Sequence, residues 1–204
     1  AKFTYSTGLN YRLLGRQLVA YGNIATGFNP APQFDANTGQ LLGNQESEGV
    51  EMGFKGVLLN DRFSYTLALF DVEQDNQVTD NPDNPGGLDL SLPRSIPGAA
   101  TRSRGMSFDV GGKVTENLTL LANIAWTDVR IVKHATTPSL IGTRPLGGQN
   151  APARSYSLAA RYNFRKGLLT GVRLGLTYQY AAEYMRIGTF WIMSRSSASA
   201  TPAA

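Results

Sequence analysis

The chain has 204 residues, no cysteine and a single histidine, His134, which excludes disulfide scaffolds, thiolate metal sites and histidine-rich metal centres. Charged residues make up 17 %, below the roughly 25 % of ordinary soluble domains. The net charge of +4 is spread along the chain rather than gathered in a patch, which argues against nucleic-acid binding.

No run approaches the ~20 consecutive apolar residues of a membrane helix. Transmembrane strands alternate and so average to a soluble-looking hydropathy, which leaves a membrane barrel open. Period-two alternation recurs throughout, and helical periodicity is almost absent. No leader precedes the alternation at Ala1, so the chain is expected to begin inside a folded structure.

The first run, "KFTYSTGLNYRLL", sets Phe3, Tyr5, Leu9, Tyr11 and Leu13 against Lys2, Thr4, Ser6, Asn10 and Arg12. A tight "LGR" connection leads to "QLVAYGNIATGF", whose two faces are less cleanly separated. After a Pro/Gly/Asn-rich segment, "GVEMGFKGVLL" places Val50, Met52, Phe54 and Leu58 opposite Glu51, Gly53 and Lys55. Asn60-Asp61 is a two-residue hairpin signal. It leads into "RFSYTLALFDVEQDNQ", with Phe63, Tyr65, Leu67 and Leu69 on one side.

A second long loop follows, then "RGMSFDVGGKV", with Met106, Phe108 and Val110 aligned. "TEN" turns the chain into "LTLLANIAWTDVRIV", aligning Leu118, Leu120, Ala122, Ile124 and Trp126. A third long loop precedes "RSYSLAARYNF", and "RKG" turns it into "GVRLGLTYQY". There Val172, Leu174, Leu176, Tyr178 and Tyr180 share a face. "YMRIGTFWIM" is an irregular ninth run, and the polar tail "SRSSASATPAA" is expected to be disordered.

The expected fold is all-β: an antiparallel up-and-down meander of eight or nine long strands, part or a small version of a transmembrane β-barrel. It occupies residues 1–193, with long loops at about 29–46, 78–103 and 133–152 and a tail at 194–204. Two features carry this. The strands run to about ten to sixteen residues, against ~9–11 for a membrane crossing and ~5–6 for a globular strand. Short and long connections alternate strictly, as in outer-membrane barrels.

The apolar faces carry no charge across their centres. Residues expected to face lipid or the aromatic girdles are Phe54, Tyr65, Leu67, Phe108, Trp126, Tyr156, Leu174 and Tyr178. The opposite faces carry Glu51, Lys55, Arg62, Asp109, Lys113, Arg161 and Arg173 among small residues, which suits a wet lumen. Two other architectures fit the same alternation: a self-contained small outer-membrane barrel with a structural or adhesive role, and a soluble lipocalin-like barrel.

No catalytic constellation stands out, so the chain reads as a non-enzyme without metal or cofactor. His134 lies beside Lys133 with no spacing that supports a Ser-His-Asp set with Ser139 and Asp128. "DNPDNPGG" lacks the ligand spacing of a calcium loop and reads as turns. The Asn117 sequon sits in a tight turn and is discounted. Arg94, Arg102, Arg104, Arg144 and Arg154 are the candidate ligand-binding residues, expected in extracellular loops where their forks meet anionic chelates or lipopolysaccharide phosphates.

Several segments, in order, resemble the barrels of TonB-dependent outer-membrane receptors. "GNQESEGVEMGFKG" is similar to a loop exit followed by a Glu-x-Gly-x-Lys strand core, here Glu51, Gly53 and Lys55. "FSYTLALFDVEQDNQV" and "RSRGMSFDVGGKVTENLTLLANIAWTDVRI" resemble the strand and hairpin that follow. "GGQNAPARSYSLAARYNF" resembles the next loop exit and strand. "GLLTGVRLGLTYQY" resembles the strand after that; together the match runs over about residues 17–187. The resemblance implies uptake of ferric siderophores or similar scarce nutrients, with energy from the TonB complex acting through a plug domain. Its setting would be outer-membrane lipid and lipopolysaccharide. This stretch shows no plug and no closing aromatic strand, and is expected to be the C-terminal part of such a barrel.

Overall fold

The computed structural model describes residues 3–30, 34–145, 152–181, 184–187 and 191–193. Strands β1 (Ser6–Leu14), β2 (Leu18–Asn29), β3 (Gln45–Leu58) and β4 (Phe63–Asp80) are followed by β5 (Ser95–Lys113) and β6 (Leu118–His134). Then come β7 (Arg154–Asn163), β8 (Arg173–Ala181), β9 (Tyr184–Ile187) and β10 (Trp191–Met193). All pairings are antiparallel and join sequence neighbours from β1 to β8, so one sheet is an unbroken meander. β9 and β10 both lie along β8, which makes them two pieces of the irregular ninth run. Among the described residues β1 pairs with β2 alone, so the sheet is open at that edge.

The long connections span residues 30–44, 81–94 and 135–153. The middle one is shorter than the composition implies, because β5 begins at Ser95 despite Pro97 and Gly98. Register shifts between Gln74 and Val78 absorb that Pro-Gly step, as bulges do for a residue that cannot join the ladder. The tail at 194–204 and part of the third loop, 146–151, lie outside the described residues.

The short connections form the other rim. Leu59, Asn60 and Asp61 all take left-handed backbone, with φ of 53°, 54° and 63°; Asn and Asp tolerate this better than Leu. Ion pairs step from turn to turn: Arg16 to Asp61 at 2.7 Å, Arg62 to Glu116 at 3.6 Å, and Arg165 to Glu116 at 3.9 Å. All are exposed, so each contributes at most about 1 kcal/mol. The register sets their order far more strongly.

One ladder row runs Tyr11, Ala20, Phe54, Leu67, Phe108, Ile124, Tyr156, Tyr180. It stands three residues from Leu14 on β1, four from Leu58 on β3, five from Lys113 on β5 and seven from Asn163 on β7. A climb of about four residues, ~13 Å, over six strand spacings of ~4.8 Å tilts the strands by roughly 25°. That shear is of the kind a closing barrel requires.

Almost nothing is packed beneath this sheet. Buried apolar side chains among the described residues are Leu42, Ala68, Ala99, Ala100, Val129 and Ile131, and none of the large ones is fully enclosed. A soluble sandwich would cover one face with a second layer. Here Met52, Phe54, Leu69, Trp126, Leu158, Leu176 and Tyr178 all stay at least 40 % exposed.

Candidate functional site

The registers sort the side chains into two faces. Phe54, Leu67, Phe108 and Tyr156 share one row, and Tyr65 and Tyr178 share the row through Val110, Ala122 and Leu158. Trp126 lies in the row of Met52, Leu69 and Met106, and Leu174 in that of Leu118 and Tyr162. All eight candidate lipid-facing or girdle residues therefore lie on the same side. Tyr156 stacks on Tyr180 with ring centroids 5.2 Å apart, and the Tyr65 hydroxyl donates to the Gln17 carbonyl at 2.9 Å at the short-turn rim.

That apolar face ends abruptly toward the long loops. Val50 gives way to Glu48, Leu69 to Asp71, Met106 to Arg104, Trp126 to Asp128 and Tyr156 to Arg154. Asp71, Arg104 and Asp128 form one row; Glu48, Glu73, Arg102 and Arg130 form the next. Asp71 accepts from Arg102 Nε at 2.7 Å and Nη2 at 2.8 Å, and from Arg104 Nε at 2.9 Å. Arg130 pairs with Asp128 at 2.9 Å, and Lys133 with Asp75 at 3.5 Å.

The other face carries the row Lys55, Thr66, Asp109, Asn123, Ser157, Gln179. Asn123 Nδ2 donates to Asp109 at 2.7 Å, and the Tyr21 hydroxyl donates to Glu51 at 2.9 Å. Lys55 Nζ stands 4.9 Å from the centre of the Tyr21 ring, a cation–π distance. A groove of about 430 Å³ runs along this polar face past Thr66, Asp109, Asn123, Ser157 and Gln179.

Two of the long loops are locked together. Asp35 is buried at 2 % exposure. Its Oδ1 accepts from the N–H groups of Asn37 and Thr38 and the Thr38 hydroxyl, at 2.9–3.1 Å. Its Oδ2 accepts from the Ser95 N–H at 2.8 Å, reaching across to the start of β5. Desolvation alone would raise its pKa, but these donors outweigh it and hold the carboxyl at about 2, below the ordinary 3.8.

Asn37 Nδ2 donates to the carbonyls of Gly87, Asp89 and Leu92 at 3.1–3.2 Å. Asn84 and Asn81 tie the same loop to itself through Pro93, Leu92 and Asp89. Ser91 donates to Asp89 by hydroxyl and N–H, which lowers that carboxyl's pKa. The "DNPDNPGG" side chains serve turn architecture.

The five candidate arginines are not gathered into one cluster. Arg94 is in the 81–94 loop, where its carbonyl accepts from Asn81 N–H at 2.9 Å. Arg144 lies in the third loop and donates to the Thr127 carbonyl at 3.2 Å. Arg102 and Arg104 stand on β5, which extends further than its Pro-Gly start implies, and Arg154 is the first residue of β7, so these three are on strands rather than in loops. They lie on the continuation of the apolar face, away from the polar row. His134 closes β6, its Nδ1 accepting the Thr137 N–H at 3.1 Å. Sequence reasoning missed Asp35, Asn37 and Asn84; only the Asn/Asp density of their loops marks them.

Residues 1–200 match the family model described as TonB dependent receptor-like, beta-barrel. The chain is 32 % identical over 163 residues to the metal-pseudopaline receptor CntO of Pseudomonas aeruginosa, covering 80 % of this chain and 21 % of that protein. The alcaligin outer-membrane receptor FauA of Bordetella pertussis superposes with a TM-score of 0.62 at 22 % identity, over 89 % of this chain and 29 % of that one. The siderophore receptor PiuA of Acinetobacter baumannii gives 0.67 at 17 %, over 87 % and 26 %. The chain thus spans about a fifth of the curated relative's length and under a third of either solved structure. These relatives are receptors, not enzymes. The chain belongs to the TonB-dependent receptors of the bacterial outer membrane, as a stretch of their β-barrel wall.

Proposed function

We propose that this chain forms part of the wall of a transporter that imports metal-loaded organic chelators, ferric siderophores above all, and that it is not an enzyme. The observation that supports this most is the pairing of an uncovered apolar face with a polar one across a single sheet. An uncovered apolar row of this kind is costly in water and favourable against acyl chains, and the strands between β1 and β8 pair their backbone groups with neighbours on both sides, as lipid requires. The eight aromatic and aliphatic residues from Phe54 to Tyr178 meet lipid. The row from Lys55 to Gln179 faces the lumen and the plug through which the TonB complex acts. The open β1 edge favours a larger barrel over a self-contained small one.

Arg102, Arg104 and Arg154, at the apolar margin, meet lipopolysaccharide phosphates. Arg94 and Arg144 are left for the cargo. The names of the relatives, a metal-pseudopaline receptor and a siderophore receptor, support a chelated metal as that cargo. The test is uptake of radiolabelled iron chelates by cells lacking the gene, under iron limitation. Loss of uptake of at least one chelate, restored by the gene, supports the reading; unchanged uptake of every chelate tried overturns it.

A further inference from the structure

The polar face ends, at the long-loop rim, in a pocket of about 430 Å³ that is lined in part by Arg144 and whose floor has no role above. Its floor is Gln77, Ala99 and Ile131, each more than nine-tenths buried, where the bulges of β4, β5 and β6 fall. Its roof is Leu140 and Thr143 of the third loop. Two backbone bonds fasten that roof: Gly142 N–H to Ile131 carbonyl at 2.8 Å, and Ile131 N–H to Thr143 carbonyl at 3.0 Å. His134 forms one wall, its Nε2 3.5 Å from Thr79 Oγ1.

Gln77 supplies the polar group. Its Nε2 donates to Gln74 Oε1 at 3.0 Å and to Thr101 Oγ1 at 2.9 Å. Both amide hydrogens are thereby engaged, which fixes the flip of the carboxamide. Its Oε1 accepts no hydrogen bond from the described residues. The pocket therefore offers one oriented acceptor, Gln77 Oε1, among mainly apolar walls, with Thr101, His134, Thr143 and Arg144 as its other polar lining, within the size range of small-molecule sites, ~300–1,000 Å³.

We propose that this pocket is a ligand subsite for a small apolar arm that ends in an N–H or O–H donor. The donor meets Gln77 Oε1, and the apolar part lies against Ala99, Ile131 and Leu140. The assignment rests on the receptor reading, in which such an arm belongs to an organic chelator. Gln77 Oε1 is open to the pocket, and an arm without a donor would strip it of water without replacing that bond, so the site discriminates by hydrogen bonding rather than by size.

The test uses two probes, para-fluoro-N-methylbenzamide with one N–H and para-fluoro-N,N-dimethylbenzamide with none. Both are titrated by fluorine NMR into the outer-membrane protein that carries this chain, purified in detergent. The first is expected to bind at least tenfold tighter. Gln77→Leu abolishes that preference, and Leu140→Trp, which fills the pocket, abolishes binding of both. Heat-modifiable gel migration confirms that each variant is folded. Equal binding of the two amides, binding indifferent to Leu140→Trp, or no binding of either overturns the proposal. Loss of amide preference alongside normal chelate uptake removes the subsite alone. Amide binding without chelate uptake removes the transport reading alone.

Discussion

Replacing Leu67 by arginine tests the assignment of faces most directly. Leu67 sits between Phe54 and Phe108 in the ladder, and the next charge on its face along β4 is Asp71, four residues on. At ~3.3 Å per residue this is ~13 Å of strand, about half of the ~25 Å apolar band of an outer-membrane barrel. Arginine at that depth costs about 2–4 kcal/mol, or roughly 30- to 900-fold in the folding equilibrium constant. Leu69→Arg, one ladder row from Asp71, costs about 0–1 kcal/mol because its side chain reaches the interface. Thr66→Arg, on the other face between Lys55 and Asp109, stays within about 0.5 kcal/mol. The assay is urea-titrated folding into lipid vesicles, with the folded fraction read from heat-modifiable gel migration. If Thr66→Arg costs as much as Leu67→Arg, or Leu67→Arg costs nothing, the lipid-facing assignment is wrong.

Three further outcomes follow from the geometry. Asn37→Ala removes three donations to the 81–94 loop, so local opening there should become easier by about 1–3 kcal/mol, seen as faster amide exchange at Gly87 and Leu92. The Asp35 carboxyl is held at about 2, below its ordinary 3.8, so its ionised form stabilises the loop lock above about pH 4. That contribution should fade as the pH falls through 2, and Asp35→Asn should remove the acid dependence of exchange at Ser95. Gly53→Ala would drive a Cβ into the Leu67 carbonyl oxygen, forcing β3 and β4 apart. It should cost about 1–3 kcal/mol in the same urea titration, whereas Gly175→Ala, with nothing within 4 Å, should be close to neutral.

The faces were legible because a strand's period is two and lipid tolerates no charge, so Phe54, Leu67 and Phe108 could be aligned before any register was known. β2 resisted for a plain reason: its apolar face carries Ala20 and Gly22, which read as neither side. The extent of β5 was hidden by Pro97 and Gly98, since composition marks a breaker but not the bulges that accommodate it. The same hidden extension of β5 is why Arg102 and Arg104 stand on a strand and not in a loop. The lock between Asp35, Asn37 and the 81–94 loop joins residues about fifty positions apart. An asparagine bonded to a distant carbonyl is spelled like one bathed in solvent.

The meander has one more consequence. Each strand from β1 to β7 pairs only with its chain neighbours, and among the described residues no shared interior binds distant hairpins to one another. Free energy is therefore gained locally, hairpin by hairpin. Such a wall can be lengthened or shortened by duplicating or deleting whole units, with the remaining contacts untouched. Circumference is then an inherited count rather than a packing problem, and pore diameter is free to evolve separately from the loops that choose the cargo.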